Sequence, residues 1–293
     1  MEEDYSKIGP TAFGQVYLKS FCGIPYAKEI CDITKATENY GDFWHLNDQG
    51  KKEVALFTET RYKGTELVIR KYIKEQNIKQ IVELACGLSP QGIILSQDFP
   101  DIKYLETDLP EMIEAKKKVL KDLHKENIKN IYFSTANALN LEELEKALGI
   151  FDKDKKVIIT ATGFLSYLNI DEKRLLAENV KKILSVYGGF FISPDLSGHN
   201  ERRKGMYTKG SSQKIFEKKI KEATSRGYQE NAFKNEEETE KFYKGLGFKI
   251  EKFPQLQGYE LFSAKNFNFD KKDFEAILEN IKKFGKVWVF SLI

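Results

Sequence analysis

Apolar and polar positions alternate in blocks along the middle of the chain. From Ile78 onward, each short apolar run is followed by a longer amphipathic stretch. The runs IKQIVELA (78–85), IKYLETD (102–108), IKNIYFSTAN (128–137), KKVIITATG (155–163) and GGFFISPD (188–195) predict five strands. Helices are predicted between them: 89–98, the Lys/Glu-rich 110–124, the stretch from a capping Asn140 to Gly149, and 171–186 opened by Asp171. Strand and helix alternating in this way means βαβ units, hence a parallel sheet covered on both faces. After Asp195 the pattern changes. A polar loop, LSGHNERRKGMYTKG, leads into predicted helices at 211–226, 236–246 and 268–284, with strands at FKIEKFP and GKVWVFSLI. Two such strands closing a parallel sheet form a hairpin-like pair. Upstream, 11–75 reads as helical, with no strand pattern of its own. The expected fold is α/β: a Rossmann-like, seven-stranded, mostly parallel sheet with helices on both faces and a helical N-terminal lid. The expected division is residues 1–75 as the lid and 76–293 as the α/β domain, together one compact unit.

Composition narrows the functional classes. The 293 residues carry 47 basic and 44 acidic side chains, a net charge of +3, so no strong field points to nucleic acid. Three cysteines without paired spacing, and only three histidines, argue against a disulfide framework and against a zinc site. A reduced, cytoplasmic setting is expected. The acidic start, MEEDYSKIGP, has no apolar signal core, and no apolar run is long enough to span a membrane.

Candidate chemistry starts at VELACGLSPQG. In a doubly wound sheet the turn after the first strand borders the ligand crevice. Gly87 permits a tight turn and close approach of a ligand. Ser89 stands where an N-cap belongs, Pro90 at the first helical position, and Gly92 where a helix packs closely on the sheet. A dinucleotide site asks for G-x-G-x-x-G and free amides at the helix start. Here the frame is Ala85-x-Gly87 with Pro90 three residues on, and Ser89 competes for the same amides. A cofactor without phosphates fits better. YLETDLP then places Glu106 and Asp108 at the end of the second strand, about twenty residues after the turn, where a carboxylate accepts ribose hydroxyls. Asp108, at the strand tip, is the better placed. A phosphate-free nucleoside on this fold points to S-adenosyl-L-methionine.

Taken together, RYKGTELVIRKYI, VELACGLSPQG, YLETDLPEMIEAKK and ATGFLSYL resemble, in order and spacing, the leucine carboxyl methyltransferase family, whose bacterial members include polyketide-type O-methyltransferases. SFCGIPYAKEI resembles that family's lid region. The resemblance covers roughly residues 10–200. It implies that Arg61 pairs with the methionine carboxylate of the cofactor and that Ala85 and Gly87 line the methionine portion. It further implies that Asp108 holds the ribose, Asn137 and Ala138 flank the adenine, and Thr162 and Gly163 lie under the sulfonium. Two positions depart from the family pattern: Ala85 replaces a glycine, and Thr162 replaces a glutamate before the GLL-Y segment. The second removes a negative charge that another acid, such as Glu83, would have to supply.

Methyl transfer from a sulfonium is an in-line displacement, so the protein has mainly to align nucleophile and methyl and to exclude water. A carboxylate acceptor is already ionised, whereas a hydroxyl wants a base. Tyr167 is a candidate to position an acceptor oxygen, His199 a candidate base, and Arg202 and Arg203 candidates to hold an acidic acceptor. The sequence reading is therefore an S-adenosylmethionine-dependent methyltransferase acting on an oxygen of a small molecule, with a protein carboxyl group as a further acceptor class. The alternatives are an NAD(P)-dependent oxidoreductase and a non-catalytic interaction protein on the same fold.

Overall fold

A computed structural model describes residues 9–40, 48–196 and 231–293, with Lys218, residues 221–222, Thr224 and Arg226 between them. At Gly9, Pro10, Tyr40, Asp48 and Gln49 it describes the backbone only. Four helices come first: α1 (Gly9–Lys19), α2 (Ala27–Ile33), α3 (Ala36–Tyr40) and the long α4 (Asp48–Glu75). The alternating core follows: β1 (Gln80–Leu84), α5 (Gln91–Asp98), β2 (Lys103–Asp108), α6 (Pro110–Asp122), β3 (Ile131–Thr135), α7 (Leu141–Ala147), β4 (Val157–Thr160), α8 (Ile170–Tyr187) and β5 (Gly189–Ser193). The chain ends through α9 (Glu236–Gly245), β6 (Phe248–Pro254), α10 (Phe262–Asn266), α11 (Lys271–Phe284) and β7 (Lys286–Leu292).

The sheet order is β3-β2-β1-β4-β5-β7-β6. The first five strands pair in parallel, while β7 runs antiparallel to both β5 and β6. This is the predicted seven-stranded, mostly parallel sheet, and its two last strands do pair antiparallel. They are no hairpin, however: α10 and α11 separate them, and β7 inserts between β5 and β6. The apolar content of VWVF explains the inner place, because Val287, Trp288, Val289 and Phe290 are all buried. By contrast, β6 has Phe248 as its one buried residue and is otherwise exposed or half-buried, in keeping with its place at the sheet edge.

Both faces of the sheet are covered. On one, Val68, Ile69, Tyr72 and Ile73 of α4 pack on Ile81, Tyr104, Ile158 and Ile192. On the other, Leu176, Val180 and Ile183 of α8 pack with Val82, Ile159, Phe191 and Trp288. Helix α4 spans about 42 Å at 1.5 Å per residue, so its second half lies on the sheet while Thr58, Arg61 and Tyr62 reach the strand ends. Helix α1 crosses that end. Val16, Tyr17 and Leu18 bury against Leu88, Met112 and Tyr167.

Helix starts differ from expectation by a residue or two. Helix α8 is opened by Asn169, not Asp171: the Asn169 side chain accepts from Glu172 N at 2.9 Å, and Glu172 accepts from Asn169 N at 2.8 Å. Asn140 caps α7 as predicted, accepting from Glu143 N at 3.3 Å. The predicted 211–226 helix lies mostly outside the described residues. The three cysteines are buried free thiols. Among the described residues no helix is long and apolar enough to cross a membrane.

Candidate active site

The strand order reverses between β1 and β4, so the loops that follow them diverge and open a crevice beyond the strand ends. The resulting cleft has an empty volume of about 1090 Å³, counting its open mouth. Small-molecule sites occupy roughly 300–1,000 Å³. Its walls are the turns after β1 and β4, the ends of β2 and β3, and the middle of α4, and α1 roofs it.

The turn after β1 is left-handed twice, at Ala85 (φ 50°) and Gly87 (φ 52°). Left-handed backbone costs a residue with a Cβ roughly 1–2 kcal/mol. This gives the physical sense of the glycine that the family resemblance leads one to expect at 85. A Cβ on Gly87 would stand 3.2 Å from the Ala12 Cβ, so the roof helix adds a second demand for glycine there. Asp108 holds the turn: its Oδ2 accepts from Gly87 N and its Oδ1 from Leu109 N, both at 2.7 Å. Burial raises the Asp108 pKa, and those two amides oppose the rise. Pro90 is the cap residue of α5 rather than its first member, and Ser89 lies one position earlier than predicted. Its Oγ still accepts from Gln91 N at 3.3 Å, so one amide at the helix start is occupied.

Beneath the turn lies a fully buried polar cluster that the sequence did not reveal. Lys116 of α6 donates to the Ser89 carbonyl and sits 3.0 Å from Glu106 Oε2. Tyr104 OH donates to Glu83 at 2.9 Å. Burial pushes the Glu106 pKa up to about 7, against the pull of Lys116. Gly92 serves this carboxylate, since a Cβ there would stand 2.2 Å from Glu106 Oε1. Glu83 faces this cluster and does not line the cleft. The expectation that it supplies a charge toward the sulfonium is therefore corrected.

The turn after β4 brings Thr162, Gly163 and Phe164 to the opposite wall. Gly163 is left-handed (φ 84°), and Thr162 Oγ1 is buried with no partner among the described residues. Asp195, just beyond β5, accepts at Oδ2 from the amides of Gly163 and Phe164 (both 2.8 Å) and Leu165 (3.2 Å). Its Oδ1 accepts from Arg61 Nη2. Arg61 lines the cleft, and its buried Nε has no partner among the described residues. Tyr167 also lines the cleft and is buried. Its carbonyl accepts from Arg226 Nη1 and Asn231 Nδ2, both at 3.1 Å. At the end of β3, Asn137 and Ala138 complete the wall, and Asn137 Oδ1 accepts from Leu139 N at 3.0 Å.

The cleft thus gathers Arg61, Ala85, Gly87, Asp108, Asn137, Ala138, Thr162, Gly163 and Tyr167 around one space. His199, Arg202 and Arg203 lie outside the described residues. The lining residues that the sequence did not reveal include Thr11, Gln15 and Lys19 of α1. Their spacing of four puts them on one helical face, a signal present in the sequence. Burial lowers the Lys19 pKa to about 8, with Glu83 opposing the shift. Asp195, the last residue of the predicted fifth strand, lies just past β5 with its carboxylate buried behind the wall.

Sheet order and fold are those of the Rossmann-like S-adenosylmethionine-dependent methyltransferases, and the chain is an enzyme of that class. Residues 24–181, more than half of the chain, match the family model of leucine carboxyl methyltransferase, and the chain belongs to that family. Among solved structures it is similar to a DUF574-family protein from Streptomyces avermitilis, at 11% identity and a TM-score of 0.60, over 96% of each chain. It is also similar to a protein from Thermobifida fusca described as a candidate methyltransferase, at 15% identity and a TM-score of 0.57, over 95% of this chain and 94% of that one. At such identities the likeness is one of fold. No curated protein sequence matches the chain.

Proposed function

We propose that the chain transfers the methyl group of S-adenosylmethionine to an oxygen of a small molecule, with a carboxylate as the favoured acceptor. The observation that carries the cofactor assignment is Arg61, which lines the cleft and whose buried Nε finds no acceptor among the described residues. Buried donors in folded proteins are nearly always satisfied, so an anion is called for there. The methionine carboxylate meets that need. Asp108 stands at the far side of the glycine turn, and each of its oxygens retains acceptor capacity beyond its one amide, which suits a ribose diol. Asn137 and Ala138 flank the adenine on this reading, with Thr162 and Gly163 beneath the sulfonium. The cofactor, when bound, supplies an activated methyl group.

The chain's own residues then orient and exclude water. Helix α1, acting as a lid, covers the glycine turn through Ala12. The described lining of the β4 end offers Thr162, Phe164 and Tyr167 but neither an imidazole nor a carboxylate. That composition favours an acceptor ionised on its own over one that needs a general base. Lys19 and Tyr167 are the groups placed to hold such an anion; Arg202, Arg203 and a basic role for His199 belong to the same proposal. A protein carboxyl terminus is the second acceptor class.

Calorimetric titration with S-adenosylmethionine and S-adenosylhomocysteine tests the cofactor half: binding of both is expected, and binding of neither at high micromolar concentration overturns it. Radiolabelled methyl transfer to a cell extract, before and after removal of small molecules, separates the acceptor classes. Label confined to the small-molecule fraction is expected.

A further inference from the structure

Asp195 does more than a turn requires. Three successive amides already satisfy its Oδ2, yet Oδ1 reaches across to Arg61, and the carboxylate is wholly buried. We infer that Asp195 is a positioning residue for the amino-acid end of the cofactor, holding the Arg61 guanidinium at the cleft wall and tying it to the turn beneath the transferred methyl. This rests on the reading that S-adenosylmethionine occupies the cleft.

The charge arithmetic supports it. The amino-acid end of the cofactor is a zwitterion, so the site needs aimed donors there rather than net positive charge. An Arg61–Asp195 pair is neutral as a unit and still offers a guanidinium N–H to a carboxylate. An arginine alone would leave an uncompensated cation against a sulfonium. The planar guanidinium, once fixed at Nη2, has little freedom left, so its remaining donors are preorganised. Asp195 also ties Arg61 to the turn that holds Thr162: its Oδ2 accepts at 2.8 Å from the amide of Gly163, the residue next in the chain.

The test compares two ligands: S-adenosylhomocysteine, which has the amino-acid end, and 5′-methylthioadenosine, which lacks it. Asp195→Asn is expected to weaken the first on the order of tenfold to a hundredfold and leave the second within about twofold. In an Arg61→Met background, Asp195→Asn should add no further loss for S-adenosylhomocysteine, because its effect runs through that arginine. Thermal unfolding checks each variant. Should Asp195→Asn not fold, Asp195→Glu, which keeps the charge but displaces it, carries the same comparison with the same selective loss. Equal loss of both ligands, loss of neither, or additive losses in the double variant overturns the inference. A wild-type chain that binds neither ligand overturns the cofactor reading itself.

Discussion

The turns after β1 and β4 face each other across the cleft, and an aspartate from the end of a neighbouring strand holds each. Asp108, ending β2, catches the Gly87 amide; Asp195, following β5, catches those of Gly163, Phe164 and Leu165. Both turns place a glycine in the left-handed region. They differ in what the carboxylate faces next. Asp108 lines the cleft, and burial raises its pKa with no cation bonded to it among the described residues. Asp195 is sealed behind the wall and bonded to Arg61. One brace keeps acceptor capacity open to a ligand, while the other gives it up to aim a donor. Parallel strands ending at one edge make this device cheap, because a strand-end side chain meets the next turn's amides without any insertion.

The comparison breaks most readily at Asp108. Asp108→Ala removes the ribose acceptors and the brace on Gly87 together. Loss of two charge-assisted hydrogen bonds, each about 1.5–3 kcal/mol, predicts at least a hundredfold weaker S-adenosylhomocysteine binding by calorimetry. Gly87→Val is expected to weaken binding about tenfold and to lower thermal stability, since it adds left-handed strain and a clash with Ala12. Tyr167→Phe addresses the β4 side alone. Cofactor binding should hold while turnover of a carboxylate acceptor falls by about tenfold or more; unchanged turnover removes Tyr167 from the acceptor site.

Two smaller effects probe the floor of the β1 turn. The folded chain holds the Glu106 proton to about pH 7, against an ordinary value of 4.5. Between those values the native state binds more protons than the unfolded chain. This contribution to stability is full below pH 4.5 and falls as pH rises to 7, a slope that Glu106→Gln should flatten in thermal unfolding. Ala85→Gly relieves the left-handed alanine. It should raise stability by about 1 kcal/mol, or roughly 2–4 °C in a chain this long.

Much of this was legible in the sequence, for reasons that also mark where reading stopped. The apolar runs located the five parallel strands because buried parallel strands leave continuous hydrophobic blocks, and β7 because its VWVF segment is buried as well. Gly87 and Asp108 were legible because a turn glycine and a strand-end acid are local features at a known separation. The insertion of β7 between β5 and β6 was not, since pairing order depends on contacts distant along the chain. Nor was the Asp195 brace: its partners are three backbone amides and an arginine 134 residues away. Lys116 looked like a surface charge, as lysine usually is, and Glu106 like a strand-end acid beside Asp108; only packing shows the two paired and fully buried. The α1 face of Thr11, Gln15 and Lys19 could have been found from its spacing of four, and was passed over because the segment was read as a lid.

A crystal structure of the chain with S-adenosylhomocysteine tests the central claim most directly. The account predicts the ribose hydroxyls on Asp108 and the methionine carboxylate accepting from Arg61 Nε, with Asp195 still bonded to Nη2. A ligand whose ribose lies away from Asp108 and whose carboxylate leaves Arg61 untouched would contradict it.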